Sequence, residues 1–131
     1  MFSKIFESKE IKELRSRLES TPNDPAAHFY LGAAYEKYGR YKDAIREFEE
    51  TLKSNSKSAE AHYNLALLHE KMLNGEKAIL HIINAGNLFG NKNDQVNKTE
   101  ARRLLRMYYR KFNVKPKDSV EPDKEIQTEK T

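Results

Sequence analysis

HFYLGAAYEK at residues 28–37 and HYNLALLHEK at residues 62–71 are two versions of one phrase, set 34 positions apart in a chain of 131 residues. Within the first, His28, Leu31, Gly32 and Tyr35 fall at i, i+3, i+4 and i+7, which is one stripe of a helix with 3.6 residues per turn. His62, Leu65, Ala66 and His69 repeat the stripe. The likeness extends outward, because residues 25–58 and 59–92 align without a gap. Each copy carries a second apolar stripe: Ala44, Ile45, Phe48 and Leu52 in one, Ala78, Ile79, Ile82 and Ala85 in the other.

The punctuation divides each copy into two helices. Asp24 before Pro25 is an N-cap with proline at the first helical position, and Gly39 ends that helix. Ser58 caps the third helix, and Asn74-Gly75 reads as the next turn. Each copy is therefore expected to be a helical hairpin.

A helical hairpin repeating every 34 residues has the period of the tetratricopeptide repeat, and the residues resemble that family too. His28-x-x-Leu31-Gly32-x-x-Tyr35 followed by Ala44-x-x-x-Phe48 is similar to the family pattern, with His28 at an aromatic position and Ser56 where proline is usual. The second copy is looser, with Ala66, His69, Ile82 and Gly90 at the glycine, tyrosine, phenylalanine and closing proline positions. Small residues at 32, 44, 66 and 78 let paired helices approach closely. The resemblance covers residues 22–91 and implies an all-α, antiparallel helix-turn-helix solenoid, with hairpins at 25–58 and 59–91.

Each hairpin leaves an apolar side open until a neighbour covers it. Residues 1–21 supply an N-terminal hook and a capping helix striped by Ile11, Leu14 and Leu18. Phe2, Ile5 and Phe6 would lie opposite that stripe on one continuous helix, so a break near Ser8 is expected, and self-association is one use for the hook. Residues 92–112 read as a basic amphipathic capping helix. Ala101, Leu104, Leu105, Tyr108 and Phe112 share one arc, and Arg102, Arg103, Arg106 and Arg110 the opposite one. That segment carries seven lysines and arginines against two acidic residues, a net +5 in a chain whose formal charge is +4. Residues 113–131, with two prolines after Asn113 and no aromatic ring, read as a disordered tail.

Catalytic and metal chemistry find little material. There is no cysteine, and neither a glycine-rich phosphate loop nor a nucleophile elbow. Four histidines are present, but no two stand at i and i+4, and His28 and His62 occupy a packing position, so no metal, cofactor or catalytic residue is assigned. No apolar run reaches the 18 residues a membrane helix needs, and a cytoplasmic protein is expected.

The resemblance implies instead a non-enzymatic adaptor that binds a segment of another protein. Phe29, Tyr30, Ala33 and Lys37 in the first copy, and Tyr63, Asn64, Leu67 and Lys71 in the second, match the family's concave groove. Some family members clamp a C-terminal carboxylate there with lysine and asparagines. Phe29 and Ala33 occupy two of those positions and leave only Asn64, which favours an apolar or aromatic peptide. The rival expectation is an anionic surface, membrane or nucleic acid, met by Arg102, Arg103, Arg106 and Arg110 with Tyr109 stacking at the edge of the arc. A solvated polar cap is the plainer alternative for the same arginines.

Overall fold

A computed structural model describes residues 7–116, which form six α-helices. They are α1 (Lys9–Ser20), α2 (Pro25–Lys37), α3 (Tyr41–Ser54), α4 (Ala59–Lys71), α5 (Gly75–Asn91) and α6 (Gln95–Lys111). Phe2, Ile5 and Phe6 lie outside the described residues, as does the tail beyond Pro116. Among the described residues no helix is long and apolar enough to cross a membrane.

Helix starts follow the sequence closely because caps are local. Asp24 Oδ1 accepts from the Ala26 and Ala27 amides at 3.0 and 3.2 Å, and Ser58 Oγ accepts from Ala61 N at 3.1 Å. Ser8 does the same for Ile11 at 3.1 Å, and α1 begins at the next residue, Lys9. Asn74 is a cap as well, accepting from Lys77 N at 3.4 Å, which corrects the reading of Asn74-Gly75 as a turn. Gly75 already belongs to α5, and the turn is made one residue earlier by Leu73, at φ 60°. The same place in the first copy, 34 residues before, is Gly39 at φ 74°.

The chain divides into two compact units, residues 1–57 and 58–131. In the first, α2 packs against both α1 and α3. Ile11, Leu31, Ala44 and Phe48 are buried there, while Leu14 and Leu18 are half-buried. Gly32 is needed for this packing, since a Cβ on it would lie 3.0 Å from Cε1 and Cζ of Phe48. Tyr35 is held between two arginines. Its hydroxyl accepts from Arg15 Nε at 3.0 Å, and Arg40 lies over its ring at 4.4 Å. Glu7 ties the start of the described chain to the same place, accepting from Arg15 at 2.8 Å and Arg40 at 3.2 Å.

In the second unit α5 packs against both α4 and α6, around a core that includes Ala66, Ile79, Ile82, Phe89, Leu104 and Tyr108. Ala66 and Ile82 hold the places of Gly32 and Phe48: one helix gains a methyl where the other loses a ring, which conserves packed volume. The C-terminal cap reaches further than the helix. Phe112 and Val114 pack against this core, the Val114 amide bonds Tyr109 O at 2.9 Å, and Lys111 pairs with Glu70. Val114, the second residue beyond Phe112, thus belongs to the packing of this unit.

Candidate partner-binding surface

α2 buries the His28, Leu31 and Tyr35 stripe and turns a different face outward. On that face Ala26, Ala33 and Lys37 are exposed, and Tyr30 is 55% exposed. Phe29 is half-buried at the edge, with its ring 5.3 Å from Phe48 in an edge-on contact and 5.9 Å from Tyr30. One ring thus anchors the other: Phe48 is fully buried, Phe29 rests on it, and Tyr30 stands in solvent against Phe29.

The equivalent face of α4 is more enclosed. Tyr63 and Leu67 pack against the core of their unit while remaining partly exposed, and the Tyr63 ring lies 6.4 Å from Phe89. Burial raises the pKa of the Tyr63 phenol, with Glu100 adding to the rise. Asn64 is half-buried, and Lys71 and Glu60 are exposed. The eight residues singled out in the sequence therefore divide. Tyr30, Ala33, Lys37 and Lys71 are surface residues, whereas Phe29, Tyr63, Asn64 and Leu67 sit at the boundary between surface and core.

The arginine arc of α6 is narrower than the helical period implies. Arg102 is half-buried with part of its guanidinium enclosed, so it leaves the exposed arc. Arg103 grips Glu100 through two bonds of 2.9 and 2.6 Å. Tyr109 is largely buried in the core, because α6 embeds a wider arc than a single stripe, and only its edge lines the concavity beside Arg106 and Arg110. Tyr108 is buried beside it, and that burial pushes its phenol up to about 12. Arg106 and Arg110 remain exposed, and with Asn113, Val114 and Pro116 they rim an open concavity of about 490 Å³.

Histidines lie closer together than their spacing suggests. In the first unit His28 bonds Glu47 through Nδ1 at 2.7 Å and the Pro22 carbonyl through Nε2 at 2.6 Å. The residues 34 positions later are His62 and His81, whose Nδ1 atoms are 3.0 Å apart, and the His69 ring stacks on His81 at 5.7 Å with the planes 3° apart. A search for pairs at i and i+4 misses this cluster because its members come from two helices, although the 34-residue alignment carries the signal. Among the described residues, no group of three histidines and carboxylates is placed to hold a metal ion.

Paired antiparallel helices that repeat at 34 residues and turn part of one helix outward define a helical-repeat interaction module. The match to the tetratricopeptide repeat family model runs over residues 6–109, and the chain belongs to that family. Its fold is similar to a crystal structure of MamA, 21% identical, with a TM-score of 0.52 over 82% of this chain and 69% of that one. It is also similar to a second MamA crystal structure, 20% identical, with a TM-score of 0.52 over 84% of this chain and 66% of the other. At such identities the likeness is one of fold. No curated protein matches this chain.

Proposed function

We propose that this protein is a non-enzymatic, cytoplasmic adaptor that holds an apolar or aromatic segment of a partner protein against the outward face of α2. The observation that carries this reading is Tyr30, a large ring 55% exposed and braced edge-on by the half-buried Phe29. Rigid aromatic rings at the margin of a core make strong anchors, because little rotamer freedom is lost when a partner covers them. Ala33, one turn on, leaves room beside the ring, and Lys37 adds a positive charge at the end of the face.

A peptide array probed with the full chain tests this reading. Peptides bearing an aromatic or large aliphatic residue are expected to bind, and Tyr30→Ala is expected to weaken them tenfold or more, about 1.4 kcal/mol, at an unchanged thermal midpoint. Binding that is indifferent to Tyr30→Ala and Ala33→Glu would remove the assignment.

A second reading rests on Arg106 and Arg110, the two exposed arginines beside the α6 concavity. They would engage an anionic surface, with retention on heparin or on phosphatidylserine vesicles that falls steeply with salt and is lost in Arg106→Gln/Arg110→Gln. Absence of retention at low salt removes that reading.

A further inference from the structure

We infer that the histidine cluster of the second unit is an acid-sensitive latch, which opens the α4–α5 hairpin at a pH where the α2–α3 hairpin stays closed. Such a latch would act whatever the chain binds. It stands on the exchange of two residues between the copies: Glu47 becomes His81 and Tyr35 becomes His69, while His28 and His62 keep their place.

In the first unit, the partners of His28 are a carboxylate and a backbone carbonyl, at 2.7 and 2.6 Å. Both are acceptors. A charged imidazole donates to both at once, so acid strengthens the contact for as long as Glu47 is ionised. Burial by itself would lower the His28 pKa, but Glu47 and the Pro22 carbonyl outweigh it and the net shift is upward.

The second unit inverts this. His62 and His81 meet Nδ1 to Nδ1 at 3.0 Å, a distance that calls for one shared proton, with one ring donating and the other accepting. A proton added at the far nitrogen of the donor ring puts a positive charge into the cluster. A second puts two N–H groups head to head with no lone pair between them. The groups that act on His81 are His62 and His69 from α4 and Lys77 one turn earlier on α5, all neutral or positive. Burial, followed by those neighbours, depresses the His81 pKa from 6.5 to about 4. Once unfolded, His81 protonates freely near the ordinary value of 6.5. Stability of the second hairpin is therefore lost as pH falls from about 6.5 toward 4, and the loss levels off below that. His69 couples its ring to the same event through its stack on His81.

Hydrogen exchange read by mass spectrometry on the full chain, corrected for the intrinsic pH dependence of exchange, tests the latch at pH 7.5 and 5.0. Peptides from α4 and α5 are expected to lose at least tenfold in protection at pH 5.0, while those from α2 and α3 keep theirs. His81→Glu, which rebuilds the pairing of the first copy, is expected to restore protection of α4 and α5 at pH 5.0. His81→Gln keeps a neutral hydrogen-bonding partner for His62 and is expected to reduce the loss, which guards against a misfolded glutamate variant. Equal protection at the two pH values in the unsubstituted chain, or acid loss that persists in both variants, overturns the inference.

Discussion

The ring of Phe112 fills the space that a Cβ on Gly75 would need. Phe112 is the residue that ends α6, and Gly75 is the first residue of α5, so the final cap of the second unit is fitted onto the start of the hairpin helix it covers. The glycine is there for close approach, since its backbone is ordinarily helical.

Gly75→Ala should therefore destabilise the second unit by about 1–3 kcal/mol, as overpacking does, despite the better helix propensity of alanine. Urea denaturation measures this. Adding Phe112→Ala should recover part of the loss, so the double variant falls short of the sum of the two singles. Strict additivity would show that the ring is not what excludes the methyl group.

A parallel constraint holds Gly32 beneath Phe48, at 3.0 Å from an added Cβ. Gly32→Ala should destabilise the first unit by about 1–2 kcal/mol. Phe48→Ile in the same chain imports the solution of the second copy, where Ala66 and Ile82 occupy these places, and should make the alanine tolerable. The measurement is a double-mutant cycle on the thermal midpoint. Its coupling energy should favour the Ala/Ile pair.

Leu73 adopts φ 60° with its side chain 71% exposed, so strain there is not compensated by burial. Leu73→Gly should raise stability by about 0.5–1 kcal/mol, and Gly39→Ala, at φ 74°, should lower it by a similar amount. No change in midpoint for either would show that the turns relax freely.

Glu47→Gln should weaken the first unit in a pH-dependent way. Because the His28 pKa is raised in the folded chain, its contribution is complete below 6.5 and disappears as pH rises through the folded value. The stability gap between the unsubstituted chain and Glu47→Gln should thus be wider at pH 6 than at pH 9, by about 1 kcal/mol for a partly solvated charge-assisted bond. An equal gap at both pH values would remove the charge on His28 from the account.

The helices were legible in the sequence because what makes them is local. A 3.6-residue stripe, a cap three residues before the amide it serves, and a proline at the first helical position all act within one turn, so Asp24, Ser58 and the stripes of both hairpins could be placed without a fold. The 34-residue recurrence added the pairing of helices, since a hairpin that repeats must bury the same faces twice. The start of α1 at Ser8 was legible for the same reason, since the phase of Ile11, Leu14 and Leu18 is read within a few turns of one helix.

Tertiary structure alone decided how deep each side chain sits and which side chains from different helices meet. Depth depends on how widely a helix is embedded, which is why Tyr109 and Arg102 leave the outward arc of α6, and why Phe29 and Tyr63 rest at the edge of a core instead of standing clear of it. Contact depends on the crossing of two helices, so His62 and His81, nineteen residues apart, gave no sign at helical spacing, and neither did Gly75 and Phe112. Sequence periodicity reports the direction in which a side chain leaves its own helix. What lies in that direction is set by the partner helix, and the physical outcome, whether a shared proton between two imidazoles or a ring where a methyl would go, follows from that meeting.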